Sequence, residues 1–266
     1  MIDNTSIANV RYRRSIQMAL NEKLKLSLVV DGDLGPKSVA ALKTYQKLNN
    51  LPTSGSYDLA TRQALHPFID HKYLNDEDFA SAAAALGVDV ASVETVVEVE
   101  AGGNGFLPSG DCAILFERHI FHKQLSRKRT PAEMAKLCAE YPELISVRTG
   151  GYLGGQSEWK RLNQAIAIDR TAALLSASWG MFQVMGFNYT AAGYTSLEQY
   201  VKDMMDSETF HLKAFTSFVK SNAGLLRALK AKDWANFARG YNGPAYAKNR
   251  YDVKLAAAYA KFSKKK

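Results

Sequence analysis

Three glutamates lie close together in Val93-Glu94-Thr95-Val96-Val97-Glu98-Val99-Glu100, and one of them breaks the pattern set by the other two. At about 100° per residue, Val93, Val96, Val97 and Glu100 share one side of a helix at spacings i, i+3, i+4 and i+7, whereas Glu94 and Glu98 share the opposite, polar side. A carboxyl on an apolar stripe is desolvated, and desolvation disfavours its charged form. Such a group can hold a proton near neutral pH and deliver it, as a general acid does in glycoside cleavage. Periodicity alone leaves a second reading open: in the last turn before Gly102-Gly103, Glu100 could point past the core into water.

The next segment could supply a partner. Gly102 to Gly110 is a glycine-rich turn region with Pro108 and Ser109-Gly110-Asp111, and Ala113 to Phe121 is an apolar, β-compatible run, so the helix end is expected to feed a small hairpin. Along that run Glu117 and His119 alternate with Phe116, Arg118 and Ile120, returning a carboxylate 17 residues after Glu100. Two carboxyl groups flanking a sugar-binding groove are what retaining and inverting glycosidases require. The other reading of Glu117 is a strand-edge acid paired with Arg118 or a lysine. Farther on, Ser178-Trp179-Gly180-Met181-Phe182-Gln183-Val184-Met185-Gly186-Phe187 joins a small-residue turn to an amide side chain, and Ala238-Arg239-Gly240-Tyr241-Asn242-Gly243-Pro244 ends a helix. Taken singly these do not specify a site: Trp179 and Tyr241 read as core aromatics, and Asn242 before Gly243 reads as a helix C-terminal cap.

The elements that must position these residues are mostly helical. Asn75 caps a helix running through the alanines to Gly87, and a second helix starts near Asp89. Thr130-Pro131-Ala132-Glu133 has the form of a capping box with proline at the first helical position, and Ser157, Ser196 and Asp233 read as caps of later helices. The first seventy residues hold an internal near-repeat: Gly32-Asp33-Leu34-Gly35-Pro36-Lys37-Ser38 with Ala41-Leu42 aligns with Gly55-Ser56-Tyr57-Asp58-Leu59-Ala60-Thr61 with Ala64-Leu65, at a constant offset of 23. Each unit reads as a glycine turn, an apolar plug, a helix-starting Pro or Asp, and an amphipathic helix facing a shared core. Two units are too few for a solenoid, so one small helical module is expected. His66-Pro67 and the polar stretch His71 to Asp78 mark the join, giving domains at 1–70 and 79–266 with a linker at 71–78.

Composition narrows the partners. With 266 residues, 47% hydrophobic and 23% charged, the chain is an ordinary folded protein, and its net charge of +8 favours an anionic partner such as nucleic acid, a membrane surface or a bacterial envelope. A nucleic-acid binder is disfavoured because no recognition helix, RNP-like motif or basic stripe with interleaved aromatics is present. No apolar stretch is long enough to span a bilayer, and the start lacks the layout of a secretory signal, so neither membrane insertion nor self-directed export is expected. Cys112 and Cys138 lack metal-ligand spacing, and His119 and His122 read as unrelated positions, so the expectation is no metal and no cofactor. A monomer is expected because no self-complementary apolar seam is evident.

The order of the motifs carries more than each alone. Ile16-Gln17-Met18-Ala19-Leu20-Asn21 through the two glycine turns to Ala64-Leu65 resembles the peptidoglycan-binding type 1 domain over about residues 10 to 66. A helix Glu followed by Gly, then S-x-G-x-x-Q, then Y-N-G resembles lysozyme-like muramidases and soluble lytic transglycosylases. More closely, EVEAGGNGFLPSG, ILFERHIFH, SASWGMFQVMGFN and FARGYNGPAYAKNRYDVKLAAAY resemble the N-acetylmuramidase domain of phage endolysins, over roughly residues 80 to 262.

The resemblance implies a mainly α architecture: a small three-helix wall-binding domain, then a lysozyme-like α+β domain with one small β-hairpin or sheet. It implies Glu100 as the catalytic acid acting between N-acetylmuramic acid and N-acetylglucosamine, with Gln183, Tyr241 and Asn242 lining the saccharide groove and Trp179 either stacking on a sugar or in the core. Glu117 would be the base of a hydrolase. Without it, a lytic transglycosylase giving 1,6-anhydro products remains open, as does a non-catalytic wall-binding protein. The partner implied is bacterial peptidoglycan, with an anionic outer-membrane surface as a further candidate, and the implied location is the host cytoplasm until release to the wall.

Overall fold

A computed structural model describes residues 10–100 and 105–264 and divides into two compact units, Met1–Ala80 and Ser81–Lys266. Among the described residues are thirteen α-helices and one three-stranded antiparallel sheet, so the architecture is mainly α with a small β element.

In the first unit, α1 (Val10–Leu24), α2 (Pro36–Leu48) and α3 (Leu59–Leu65) close on a core of Tyr12, Ile16, Leu20, Leu34, Leu42, Tyr45, Tyr57 and Leu65. The two apolar plugs are Leu34 and Tyr57, one from each repeat. Each repeat is locked by a buried glutamine from the helix before it. Gln17 accepts the Gly32 N–H at 2.7 Å and donates to the Asp33 carbonyl and the Ser38 hydroxyl. Gln46 accepts the Gly55 N–H at 2.8 Å and donates to the Ser56 carbonyl and the Thr61 hydroxyl. Gly32 and Gly55 both adopt left-handed φ, +80° and +75°, where an added Cβ would strike Val10 and Val39 respectively. The repeat seen in the sequence is thus a repeated hydrogen-bond clamp.

The second unit is built around the sheet β1 (Ile114–Phe116), β2 (Ala177–Trp179) and β3 (Val184–Met185). β1 pairs with β2 in the register Ile114 to Trp179, and β2 turns through Gly180–Gln183 into β3. The hairpin expected between the glycine-rich region and β1 is therefore replaced: among the described residues that region contributes an isolated Phe106–Cys112 bridge, and β1 finds its partner more than sixty residues away. The strand also ends earlier than expected. Glu117 is the N-cap position of α6 (Arg118–Leu125), whose Phe121 and Leu125 are fully buried at i and i+4, so helical periodicity takes over where alternation was read.

Local caps agree with the sequence more often than not. Asn75 accepts the Glu77 N–H to start α4 (Asp76–Leu86), so Asp76 to Asp78 of the polar stretch belong to a helix, and Asp89 accepts the Ser92 N–H to start α5 (Val90–Glu100). The capping box of α7 (Pro131–Glu140), Ser196 before α9 (Leu197–Asp206) and Asp233 before α12 (Trp234–Asn242) all form. Ser157 does not cap: Gly155 holds the N-cap position of α8 (Gln156–Leu175), and Ser157 lies inside its first turn. α8 breaks at Asp169, which turns to β-like angles and accepts the Ala172 N–H, restarting the helix. α10 (Glu208–Ser221), α11 (Ala223–Ala231) and α13 (Tyr251–Phe262) complete the body, with α13 packed along α5.

The glutamine clamps give a direct test of the first unit. Gln46→Leu strips the Gly55 N–H and the Ser56 carbonyl of their buried partner and should cost about 3 kcal/mol. In calorimetry of the full chain, the transition of the first unit should fall by about 10 °C or more, with that of the second unmoved.

Candidate active site

Glu100 closes α5. Its side chain and residues 101–104 lie outside the described residues, so the site is defined by what surrounds them. On the helix, position 100 is i+7 from Val93 and i+4 from Val96, both essentially inaccessible. The buried face of α5 also includes Ser92 and Thr95, while Val97 is only half-buried, so the inner stripe is rotated from the all-valine face read in the sequence. Glu98 faces outward to Lys261 on α13. At the start of α5, the Asp89 carboxyl is held down to about 2: burial pushes it up, but the Ser92 hydroxyl and N–H, the Tyr259 hydroxyl and Lys232 outweigh that. The helix carrying Glu100 is thereby pinned at its first turn and along its length.

The chain resumes at Gly105, which is enclosed. Its N–H donates to the fully buried Glu208 carboxylate at 3.0 Å, its carbonyl accepts the Ala113 N–H at 2.9 Å, and a Cβ there would lie 2.5 Å from His211 Nδ1. His211, 1% exposed, accepts the Met181 N–H on Nδ1 at 3.1 Å and faces the Met204 carbonyl through Nε2 at 2.7 Å. That pairing assigns the proton to Nε2 and makes the ring neutral. The imidazole also lies against Gly180, where a Cβ would come within 2.7 Å of its ring, and stacks on Phe106. Glu208 and His211 therefore fix Gly105 and Phe106 to the S-x-G-x-x-Q turn.

Gln183 stands at that turn with φ +50° and is exposed. Its amide accepts the Ser178 hydroxyl at 2.7 Å and donates to the Gly180 and Ala113 carbonyls, which leaves one acceptor lone pair for another group. Tyr241 donates its hydroxyl to the Phe182 carbonyl at 2.7 Å from a nest of Phe215, Phe218 and Phe237, tying the end of α12 to the same turn. Asn242 is half-buried as the last residue of α12 before Gly243 at φ +76°. Trp179 takes the core role. It is 1% exposed, donates to the Leu174 carbonyl and meets Trp159 edge-on, so its ring is not available to stack on a sugar.

Glu117 leaves the sheet at the other end of β1. Its carboxylate oxygens each accept the Tyr152 hydroxyl at 2.9 Å, and His119 Nδ1 lies 3.1 Å from Oε2. Arg118, the partner proposed for a strand-edge acid, instead donates to the carbonyls of Arg148 and Thr149. On the edge of β1 away from β2, Glu158 and Arg161 of α8 capture Phe116: the Glu158 carboxylate accepts the Phe116 N–H and pairs with Arg161 at 2.8 Å, and Arg161 donates to the Phe116 carbonyl, while the Glu117 N–H still donates to the Ser176 carbonyl. Among the described residues no group of three or more His, Cys, Asp or Glu could hold a metal ion, and neither Cys112 nor Cys138 is in a disulfide.

A family model described as N-acetylmuramidase matches residues 89–263, from the cap of α5 to the residue after α13. The chain belongs to the N-acetylmuramidase family. A peptidoglycan binding domain model matches residues 12–65, the repeat module. The crystal structure of the Burkholderia AP3 phage endolysin is similar over 94% of this chain and 95% of that one, at 39% identity and a TM-score of 0.69. No curated protein matches. The muramidase match thus starts and finishes with α5 and α13, which pack on each other.

Glu208, His211, Glu158 and Arg161 were not singled out in the sequence, yet each pair sits at i and i+3 and continues into a buried apolar stripe: Glu208-His211-Leu212-Phe215, and Glu158-Arg161-Leu162-Ala165. The pattern that drew attention to Glu100 was present in both.

The Glu158 carboxyl sits below its ordinary value of 4.5: burial pushes it up, but the N–H groups of Leu153, Phe116 and Gly154 and the Arg161 charge outweigh burial. Glu158→Gln should destabilise the muramidase domain by about 3–5 kcal/mol, because it leaves Arg161 enclosed without a counter-charge. A lowered carboxyl contributes stability above its unfolded value that disappears as pH falls through its folded one. Melts from pH 7 to pH 3 should therefore show an acid-side loss that shrinks in the variant; parallel curves would refute the assignment.

Proposed function

We propose that this chain is an endolysin-type peptidoglycan hydrolase that cleaves the β-1,4 bond between N-acetylmuramic acid and N-acetylglucosamine. The observation that carries the reading is the N-acetylmuramidase match over 89–263, within which Glu100 ends a helix packed on α13 and Gly105 is anchored to Glu208 beside His211. The similarity to a phage endolysin over nearly both chains supports it, and the peptidoglycan binding match supports a first unit that holds the enzyme on the wall.

In this mechanism Glu100, protonated, gives its proton to the glycosidic oxygen as an oxocarbenium-like transition state develops, and Glu117 directs water to the sugar carbon. Gln183, Tyr241 and Asn242 keep the roles of groove residues. For Gln183 the remaining amide lone pair is the group that can meet a sugar hydroxyl. For Tyr241 the contribution is to fix the Phe182 backbone. The wall, reached from the cytoplasm after release, is the site of action.

One observation favours a second reading. Glu117 is already engaged by Tyr152 and His119, and an enzyme that acts with Glu100 alone would use the substrate's own 6-hydroxyl in place of water. The products separate the two. Mass spectrometry of muropeptides released from purified sacculi should give reducing ends carrying the elements of water; terminal 1,6-anhydro sugars would establish transglycosylation instead.

Glu100→Gln should lower the lytic rate on sacculi by about 10²–10⁴-fold with wall binding retained. Unchanged lysis would remove Glu100 from the mechanism and favour a non-catalytic wall protein.

A further inference from the structure

The connection from α7 to α8 contains Val147-Arg148-Thr149-Gly150-Gly151-Tyr152-Leu153-Gly154-Gly155. All four glycines hold left-handed φ, between +52° and +84°. Around Gly150, Gly154 and Gly155 a Cβ would meet open space, so the backbone conformation and not crowding demands glycine there. That backbone turns large apolar side chains outward: Leu153 is 68% exposed and Tyr152 45%.

The segment is anchored at both flanks. The enclosed Glu158 carboxylate accepts the N–H groups of Leu153 and Gly154 at 2.6 and 3.1 Å, and Arg118 donates to the carbonyls of Arg148 and Thr149 at 3.1 Å each. Exposed apolar side chains on a loop this firmly tied are pre-positioned for a partner, since ordering them on binding costs little. The partner is indicated by the polar end of Tyr152, whose hydroxyl donates to both oxygens of Glu117. A ring that is apolar on its face and ends on a carboxylate matches a pyranose, which is apolar on its C–H face and hydroxylated at its edge.

We propose that Tyr152 and Leu153 form a ledge that contacts the peptidoglycan glycan strand beside Glu117. The ring and the isobutyl group cover the apolar face of one sugar, while the phenol holds the Glu117 carboxylate in place. The proposal rests on the reading of Glu117 as a carboxylate of the cleft. Tyr152 is then both a binding residue and a positioning residue, and Leu153 a binding residue alone.

The test is steady-state cleavage of solubilised, uncross-linked glycan strands by the full chain. Tyr152→Ala should raise KM about tenfold and Leu153→Ser about fivefold, with melting temperatures near wild type because both side chains are exposed. Tyr152→Phe keeps the ring and should hold KM within twofold while kcat falls. KM within twofold of wild type in both Tyr152→Ala and Leu153→Ser would overturn the ledge. Failure of the Glu117 reading has a different signature: Glu117→Gln and Tyr152→Phe would both retain kcat, while the KM effects of the ledge persisted.

Discussion

Glu158 is a carboxylate with no exposure that accepts hydrogen bonds from three backbone N–H groups and from Arg161. Its importance follows from the size of the sheet. With strands of three, three and two residues, the sheet cannot satisfy the backbone at its own ends, and buried backbone groups must be paired somewhere. Glu158 and Arg161 take both polar groups of Phe116 on the edge away from β2, the Glu117 N–H still reaches the Ser176 carbonyl on the other side, and α6 begins from there. The same carboxylate holds Leu153 and Gly154, which brings Tyr152 onto Glu117. One buried pair thus closes the free edge of β1 and sets the loop that meets Glu117.

The opposite end of β1 obeys the same constraint with different groups. Ala113 receives the Gly180 N–H and the Gln183 amide on its carbonyl and gives its N–H to Gly105, while His211 and Glu208 take the neighbouring N–H groups of Met181 and Gly105. Tyr241 and Tyr200 reach in from α12 and α9 to the carbonyls of Phe182 and Val184. The S-x-G-x-x-Q turn and the Y-N-G helix end meet at these few backbone atoms. In the first unit, Gln17 and Gln46 solve the same problem for two glycine turns, each with one acceptor and two donors in a single side chain.

How legible all this was depended on the range of the interaction. Caps such as Asn75, Asp89, Thr130 and Asp233 act within three residues, so spacing in the sequence reveals them. The 23-residue repeat was equally visible, although the clamps that give it meaning were not, because Gln17 and Gln46 lie in the preceding helices. The pairing of Ile114 with Trp179 was invisible for the opposite reason: short strands carry little alternation, and the run after Phe116 remains apolar when it becomes helical. Ser157 failed as a cap because a glycine with positive φ just ahead of it starts the helix instead.

The comparison of the acids sharpens what a misplaced carboxylate signifies. Glu100, Glu158 and Glu208 all share helical stripes with apolar residues four and seven positions away, and for two of them the structure supplies the cause: Glu158 accepts the N–H groups of Phe116, Leu153 and Gly154, and Glu208 accepts that of Gly105. A carboxylate on an apolar face is therefore a statement about burial before it is one about catalysis. The difference lies in position along the helix. Glu158 and Glu208 are in first turns, where the exposed N–H groups and the positive end of the helix dipole favour an anion. Glu100 is in a last turn, where the free carbonyls and the negative end disfavour one. Position 100, in line with Val93 and Val96, has no free backbone N–H groups from its own helix to accept, so the structural role that Glu158 and Glu208 fill does not account for a carboxyl there.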